Sequence, residues 1–204
     1  ANGFKDKAGD FGIEIISEYE YSIKDREFGA IVSKIKSENP DAIYASGYFF
    51  TAGPLVRQLR AAGINQPVVG QEGYDSQKFI EIAGDASEGV MITTSLDRDS
   101  SNPVTQSFIE GFSNKAGYPA DMVGASGHTA ILVLADAMSR AGSTDKASLR
   151  DAIASTNLEA STGQISFNAL GEVQKDVQVQ VVRDGNWHHH SVVSDAELLA
   201  PPSK

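Results

Sequence analysis

The chain has 204 residues, with 17 Lys and Arg against 27 Asp and Glu, 19 Gly, no Cys and 41% hydrophobic residues, a globular composition with a formal charge of −10. That charge opposes nucleic acid and anionic membrane surfaces as general partners, and the lack of Cys excludes disulfides, a thiolate nucleophile and Cys-based zinc or iron–sulfur sites. The longest apolar run, Ala130 to Ala135, is far below the ~20 residues of a membrane-spanning helix.

Ala1 to Ala8 has neither a signal pattern nor an initiator Met and reads as the last turns of a helix stopped by Gly9, so a fragment or processed product is expected. From Gly12 to Leu96 two periods alternate. Ile13 to Glu18 is strand-like, and Phe28, Ile31, Val32 and Ile35 then share one helical face, broken at Asn39-Pro40. Asp41 to Ser46 reads as a short buried strand. Thr51 is placed to cap a helix carrying Leu55, Val56, Leu59 and Ala62, stopped by Gly63. Pro67 to Gln71 is the next strand, Ser76 opens a helix with Phe79, Ile80 and Ala83, and Glu88 to Thr93 closes the series as a strand. This alternation predicts an α/β fold with a parallel, doubly wound sheet covered by helices.

Beyond Ser101 the pattern changes. Pro103 stands at a helix start with Val104, Phe108 and Phe112 recurring every fourth residue. Val123 to Ala141 is a long apolar helix stopped by Gly142, and Asp145 caps a third helix bearing Leu149 and Ile153. Gly163 to Asn168 reads as a short strand. Val177, Val179 and Val181 alternate with Gln178 and Gln180 as a half-exposed strand, joined through Asp184-Gly185 to a strand containing Trp187. Residues 195–204, with Pro201-Pro202, read as a tail.

No phosphate-binding glycine motif occurs. Gly124-Ala125-Ser126-Gly127-His128 resembles a nucleophile elbow, but the final Gly is replaced by His128 and the segment opens a helix. Of His188, His189 and His190, a regular strand places only His188 and His190 on one face, with no further ligand at metal spacing. No metal and no cofactor is expected. The segments after the parallel strands are more distinctive, because open parallel sheets bind ligands outside the carboxyl ends of their strands. Tyr48, Phe49 and Phe50 follow one strand, and Glu72 and Tyr74 follow the next. Aromatic rings beside an acid suit a ligand with an ammonium group. The alternative is that Tyr48 and Phe49 are core residues and Glu72 a solvated loop acid.

Stretches 39–63, 67–90, 128–142 and 181–187 together resemble the type I periplasmic solute-binding proteins of the leucine/isoleucine/valine-binding class, which deliver small molecules to ABC transporters. The resemblance covers the whole chain but only the later part of a family member. It implies two α/β lobes closing over a ligand, with 1–95 and 177–204 in one lobe and 97–176 in the other, and hinges near Leu96 and Asp176. It implies that Glu72 receives the ligand's ammonium group and Tyr48 closes over the ligand. Val123 falls near a position usually held by a bulky aromatic, and His128 where Tyr is common. The hydroxyls and amides that hold the ligand's carboxylate belong to sequence before Ala1.

The resemblance therefore implies an extracytoplasmic binding protein, periplasmic or lipid-anchored, whose partners are an amino-acid-like molecule and an ABC transporter permease in the membrane. A sensing receptor domain of the same fold and a doubly wound enzyme are the alternatives. The sheet for the helices at 103–156 would also lie upstream of Ala1. Val104, Phe108, Phe112, Ile131, Leu134, Met138, Leu149 and Ile153 are then expected to be covered by the N-terminal portion or by self-association, or to stand exposed.

Overall fold

The computed structural model describes residues 2–199, so Pro201-Pro202 of the expected tail lie outside the described residues. Helix α1 (Asn2–Ala8) runs into a 3₁₀ turn over Gly9–Phe11. The stop is therefore Gly12, whose φ of 67° is the left-handed conformation that ends the turn, and not Gly9. The strand expected at Ile13–Glu18 does not form. Residues 13–22 pair with neither sheet, and Ile13, Ile15 and Ile16 are exposed. Side chains tether the segment instead: the hydroxyls of Ser17 and Tyr19 donate to Glu38, and that of Tyr21 to the Ser46 carbonyl. Alternating apolar residues define a face, but a strand also needs a neighbouring backbone to pair with.

Helix α2 (Gly29–Glu38) buries Val32 and Ile35 and ends at Asn39 in the left-handed region. Strand β1 is only Ile43–Tyr44, with Tyr44 exposed and stacked 4.4 Å from Phe4, so the expected buried strand is shorter and wetter than its sequence suggests. Helix α3 (Phe49–Ala61) begins after Tyr48. Thr51 therefore lies buried inside the first turn, its hydroxyl donating to the Ile23 carbonyl at 3.2 Å, rather than capping the helix. Strand β2 (Val68–Gly70), helix α4 (Gln77–Ala83), capped by Ser76, and strand β3 (Met91–Thr94) follow as the periodicity predicts.

Three helices come next. They are α5 (Pro103–Ala116), α6 (Met122–Ala141) and α7 (Lys146–Ala154), whose first amides are taken by the carbonyl or carboxylate oxygens of Asn102, Asp121 and Asp145. Strands β4 (Asn157–Ala160), β5 (Gly163–Phe167) and β6 (Val173–Gln174) make a three-stranded antiparallel sheet. Only β5 was legible, because β4 and β6 are short, half-exposed and polar. Strands β7 (Val177–Arg183) and β8 (Asn186–Val193) form the expected hairpin, whose turn residues Asp184 and Gly185 both have positive φ, 49° and 70°.

The larger sheet has the order β1-β2-β3-β7-β8. Its first three strands are parallel, and the hairpin adds antiparallel to β3 with Met91 opposite Val181. Its core draws on Phe28, Val56, Leu59, Val68, Phe79, Ile92 and Trp187. Two smaller cores lie elsewhere, one around Leu96, Phe108, Ala120 and Ala125, the other around Val133, Ala160 and Ile165.

Two sequence expectations change through packing. Gln180 is fully buried and not half-exposed, and a bulge sets Gln180 opposite His189 but Val179 opposite Ser191. The extra residue, His190, interrupts the regular alternation that would set His188 and His190 on one face, while His188 and His189, opposite Val181 and Gln180, reach the carboxylates of Asp99 and Asp97. On α5, Phe108 is buried and Val104 and Phe112 are half-buried, as are Leu149 and Ile153 of α7. The open face is on α6, where Val123 (69%), Ile131 (64%), Leu134 and Met138 are exposed. By length and composition alone α6 is long and apolar enough to cross a membrane, yet its Val133 packs against β4 and β5.

Candidate functional site

In a parallel sheet the carboxyl ends of neighbouring strands open onto the same edge, so the loops after β1 and β2 meet there. They meet very closely. A β-carbon on Gly73 would lie 2.1 Å from the Gly47 carbonyl oxygen, so only Gly lets the two loops touch. This contact sets the ring of Tyr48 against Gly73, one residue from Glu72. Tyr48 is 53% exposed and stacks on Phe50 with centroids 5.6 Å apart. Phe49 is half-buried, edge-on to Phe50, and leans on the main core.

Glu72 is exposed in a short 3₁₀ turn, and its Oε1 accepts a hydrogen bond from the Ser95 hydroxyl at 2.7 Å. Ser95 in turn accepts from Lys175 Nζ at 2.6 Å. Burial pushes the Lys175 ammonium below the usual lysine range, and the nearby Glu72 charge opposes that shift. The acid beyond the end of β2, the residue after β3 and the residue after β6 thus form one chain of hydrogen bonds.

Tyr74, expected to face a ligand, belongs to the core instead. It is 0% exposed and stacked 5.2 Å from Phe79, which stacks on Trp187. Its ring folds back under Gly70, where a β-carbon would stand 2.5 Å from it, and burial pushes its phenol up. Burial of this kind leaves no surface for a ligand.

Val123 stands exposed in the first turn of α6. His128, five residues further along, is held by Ser161 Oγ at 3.0 Å from its Nδ1, and its ring lies tilted against Phe108 with centroids 5.0 Å apart. Leu96, expected at a hinge, is fully buried against Phe108 and Ala125, while Asp176 is exposed between β6 and β7. Among the described residues no group of three His, Asp or Glu is arranged to hold a metal ion.

Four residues that sequence reasoning passed over shape this edge. Ser95 and Lys175 bracket Glu72. Asp75, whose side chain is fully buried, accepts from Arg98 and from the Thr94 hydroxyl, and Arg98 also donates to the Ala120 carbonyl at 3.2 Å. An acid and a base so far apart in the chain carry no local signal. Only the buried setting reveals them.

The model of the periplasmic binding protein family matches residues 1–186. The leucine-, isoleucine-, valine-, threonine- and alanine-binding protein of Pseudomonas aeruginosa is 29% identical over 176 residues, 85% of this chain and 46% of that protein. The Leu/Ile/Val-binding protein of Escherichia coli is 24% identical over 173 residues, 85% of this chain and 45% of that protein. This chain therefore spans about half the length of the curated relatives it matches. The crystal structure of a leucine-binding protein from Thermotoga maritima superposes with a TM-score of 0.87 at 33% identity, covering 96% of this chain and 56% of that one. With the family model extending over nearly its whole length, the chain belongs to the periplasmic binding protein family.

Proposed function

We propose that this chain is the later part of a two-lobe solute-binding protein that captures an amino acid or amino-acid-like molecule outside the cytoplasm and presents it to an ABC transporter permease. In this reading residues 1–95 and 177–204 build one lobe and 97–176 belong to the other, with the crossovers near Leu96 and Asp176. The separation of the cores supports it: the five-stranded sheet has its own core, and the helices α5–α7 rest on two smaller ones. So do the relatives, which are solute-binding proteins by name.

What supports the ligand class is the Tyr48 ring lying against Gly73, the residue next to Glu72, at the strand ends. The carboxylate takes the ligand's ammonium group and the ring packs on its methylenes, with Val123 approaching from the other lobe. Phe49 supports the Tyr48 loop from below. Capture without catalysis is all these groups need to do, since lobe closure over the ligand is the functional event.

The test is titration of L-leucine into the full-length protein that carries this chain, with Glu72→Gln beside the wild type. The variant is expected to bind about 2–4 kcal/mol more weakly, the range for truncating one side of a desolvated charge pair. Equal affinity in the two proteins would sink the assignment.

A further inference from the structure

Glu72 is linked to a cation through one hydroxyl. The Ser95 hydroxyl donates to Glu72 at 2.7 Å and accepts from Lys175 Nζ at 2.6 Å, so a half-buried ammonium sits one hydroxyl away from the acid assigned to the ligand's own ammonium. Ser95 is itself buried, which holds the relay in place. The polarity of the relay is settled by chemistry: an ammonium has protons to donate and no lone pair, and a carboxylate has only lone pairs. The serine must therefore pass its proton side to Glu72.

We infer that Lys175 is a specificity-determining residue of this subsite, an internal counter-charge that lets it take a zwitterion of no net charge and penalises a ligand that is purely cationic. The inference rests on the amino-acid reading of Glu72. A chain of formal charge −10 attracts cations of every kind, and an uncompensated Glu72 would add to that attraction. With Lys175 in place the Glu72–Ser95–Lys175 group is close to neutral. A cationic ligand meets a like charge just behind its partner, and Coulomb repulsion at such distances is felt in a partly desolvated cleft. In a zwitterion the carboxylate is drawn to the same lysine, which offsets part of that repulsion. Specificity then comes from a repulsive element as well as an attractive one.

The experiment compares L-leucine with L-leucinamide, which keeps the ammonium and side chain but lacks the carboxylate charge, as ligands of the full-length protein by isothermal titration. Lys175→Met is expected to raise leucinamide affinity about tenfold while changing leucine affinity about threefold or less, the differential expected for one nearby charge. Lys175→Arg is expected to keep the wild-type preference. An unchanged leucine-to-leucinamide ratio in Lys175→Met, or an equal loss for both ligands, overturns the inference and leaves Lys175 as a support for Glu72. Failure of the wild type to bind leucine at all would instead overturn the underlying reading, and this inference with it.

Discussion

Arg98 closes over Asp75 inside the protein, its guanidinium donating to both carboxylate oxygens, with side-chain exposures of only 15% and 0%. Asp75 ends the turn that carries Glu72, Arg98 follows β3, and the Ala120 carbonyl that Arg98 also engages leads into α6. The pair thus ties the strand-end edge to the helix that bears Val123. Two charges removed from water are tolerable only as partners, and here the Thr94 hydroxyl supplies a further hydrogen bond to Asp75.

Breaking this pair from one side is expected to cost much more than removing both charges. Arg98→Met leaves a buried carboxylate and should destabilise the full-length protein by about 3–5 kcal/mol in urea unfolding, while Arg98→Met with Asp75→Asn should lose clearly less than the two single changes summed. Additive losses would show that the two side chains do not act as a pair.

Tyr48 and Tyr74 lie in neighbouring loops yet should behave in opposite ways. Tyr74→Ala empties part of the main core and is expected to cost about 3–5 kcal/mol of stability, by analogy with other large aromatic truncations. Tyr48→Ala, on an exposed ring, is expected to change stability by about 0.5 kcal/mol or less while weakening amino-acid binding by the full-length protein. Thermal denaturation and calorimetric titration of the two variants read the difference directly. A collapse of stability in Tyr48→Ala with normal ligand affinity would return Tyr48 to the core.

The exposed face of α6 gives a length-dependent prediction. If the other part of a two-lobe protein covers Ile131, Ile131→Ala should cost about 2–5 kcal/mol in the full-length protein, as for other buried large-to-small changes. In the 204-residue chain, where Ile131 is 64% exposed, the same change should cost about 0.5 kcal/mol or less. Urea midpoints of the two lengths make the comparison. Equal small effects in both would mean that this face stays open to water.

Much of the α/β fold was legible because its signals are local. Ser76 and Asp145 each accept amide protons within three residues of themselves, and the Asp184-Gly185 turn needs only its own two positive φ angles. The apolar faces of α2, α3 and α4 repeat within a few turns and marked the helices that pack in the main core. Chemistry at the strand ends was partly visible too, since Tyr48 and Glu72 announce themselves by residue type and by following apolar runs. What the chain could not disclose locally was which groups meet across it. Residues 13–22 look like a strand but pair with neither sheet. Tyr74 looks like a partner of Tyr48, but the missing β-carbon of Gly70 lets its ring turn inward. Arg98 finds Asp75 23 residues away and Lys175 finds Ser95 80 residues away. Capping and turn geometry are decided within a few bonds, whereas pairing, burial and charge compensation are decided by whatever distant backbone and side chains the closed fold brings alongside.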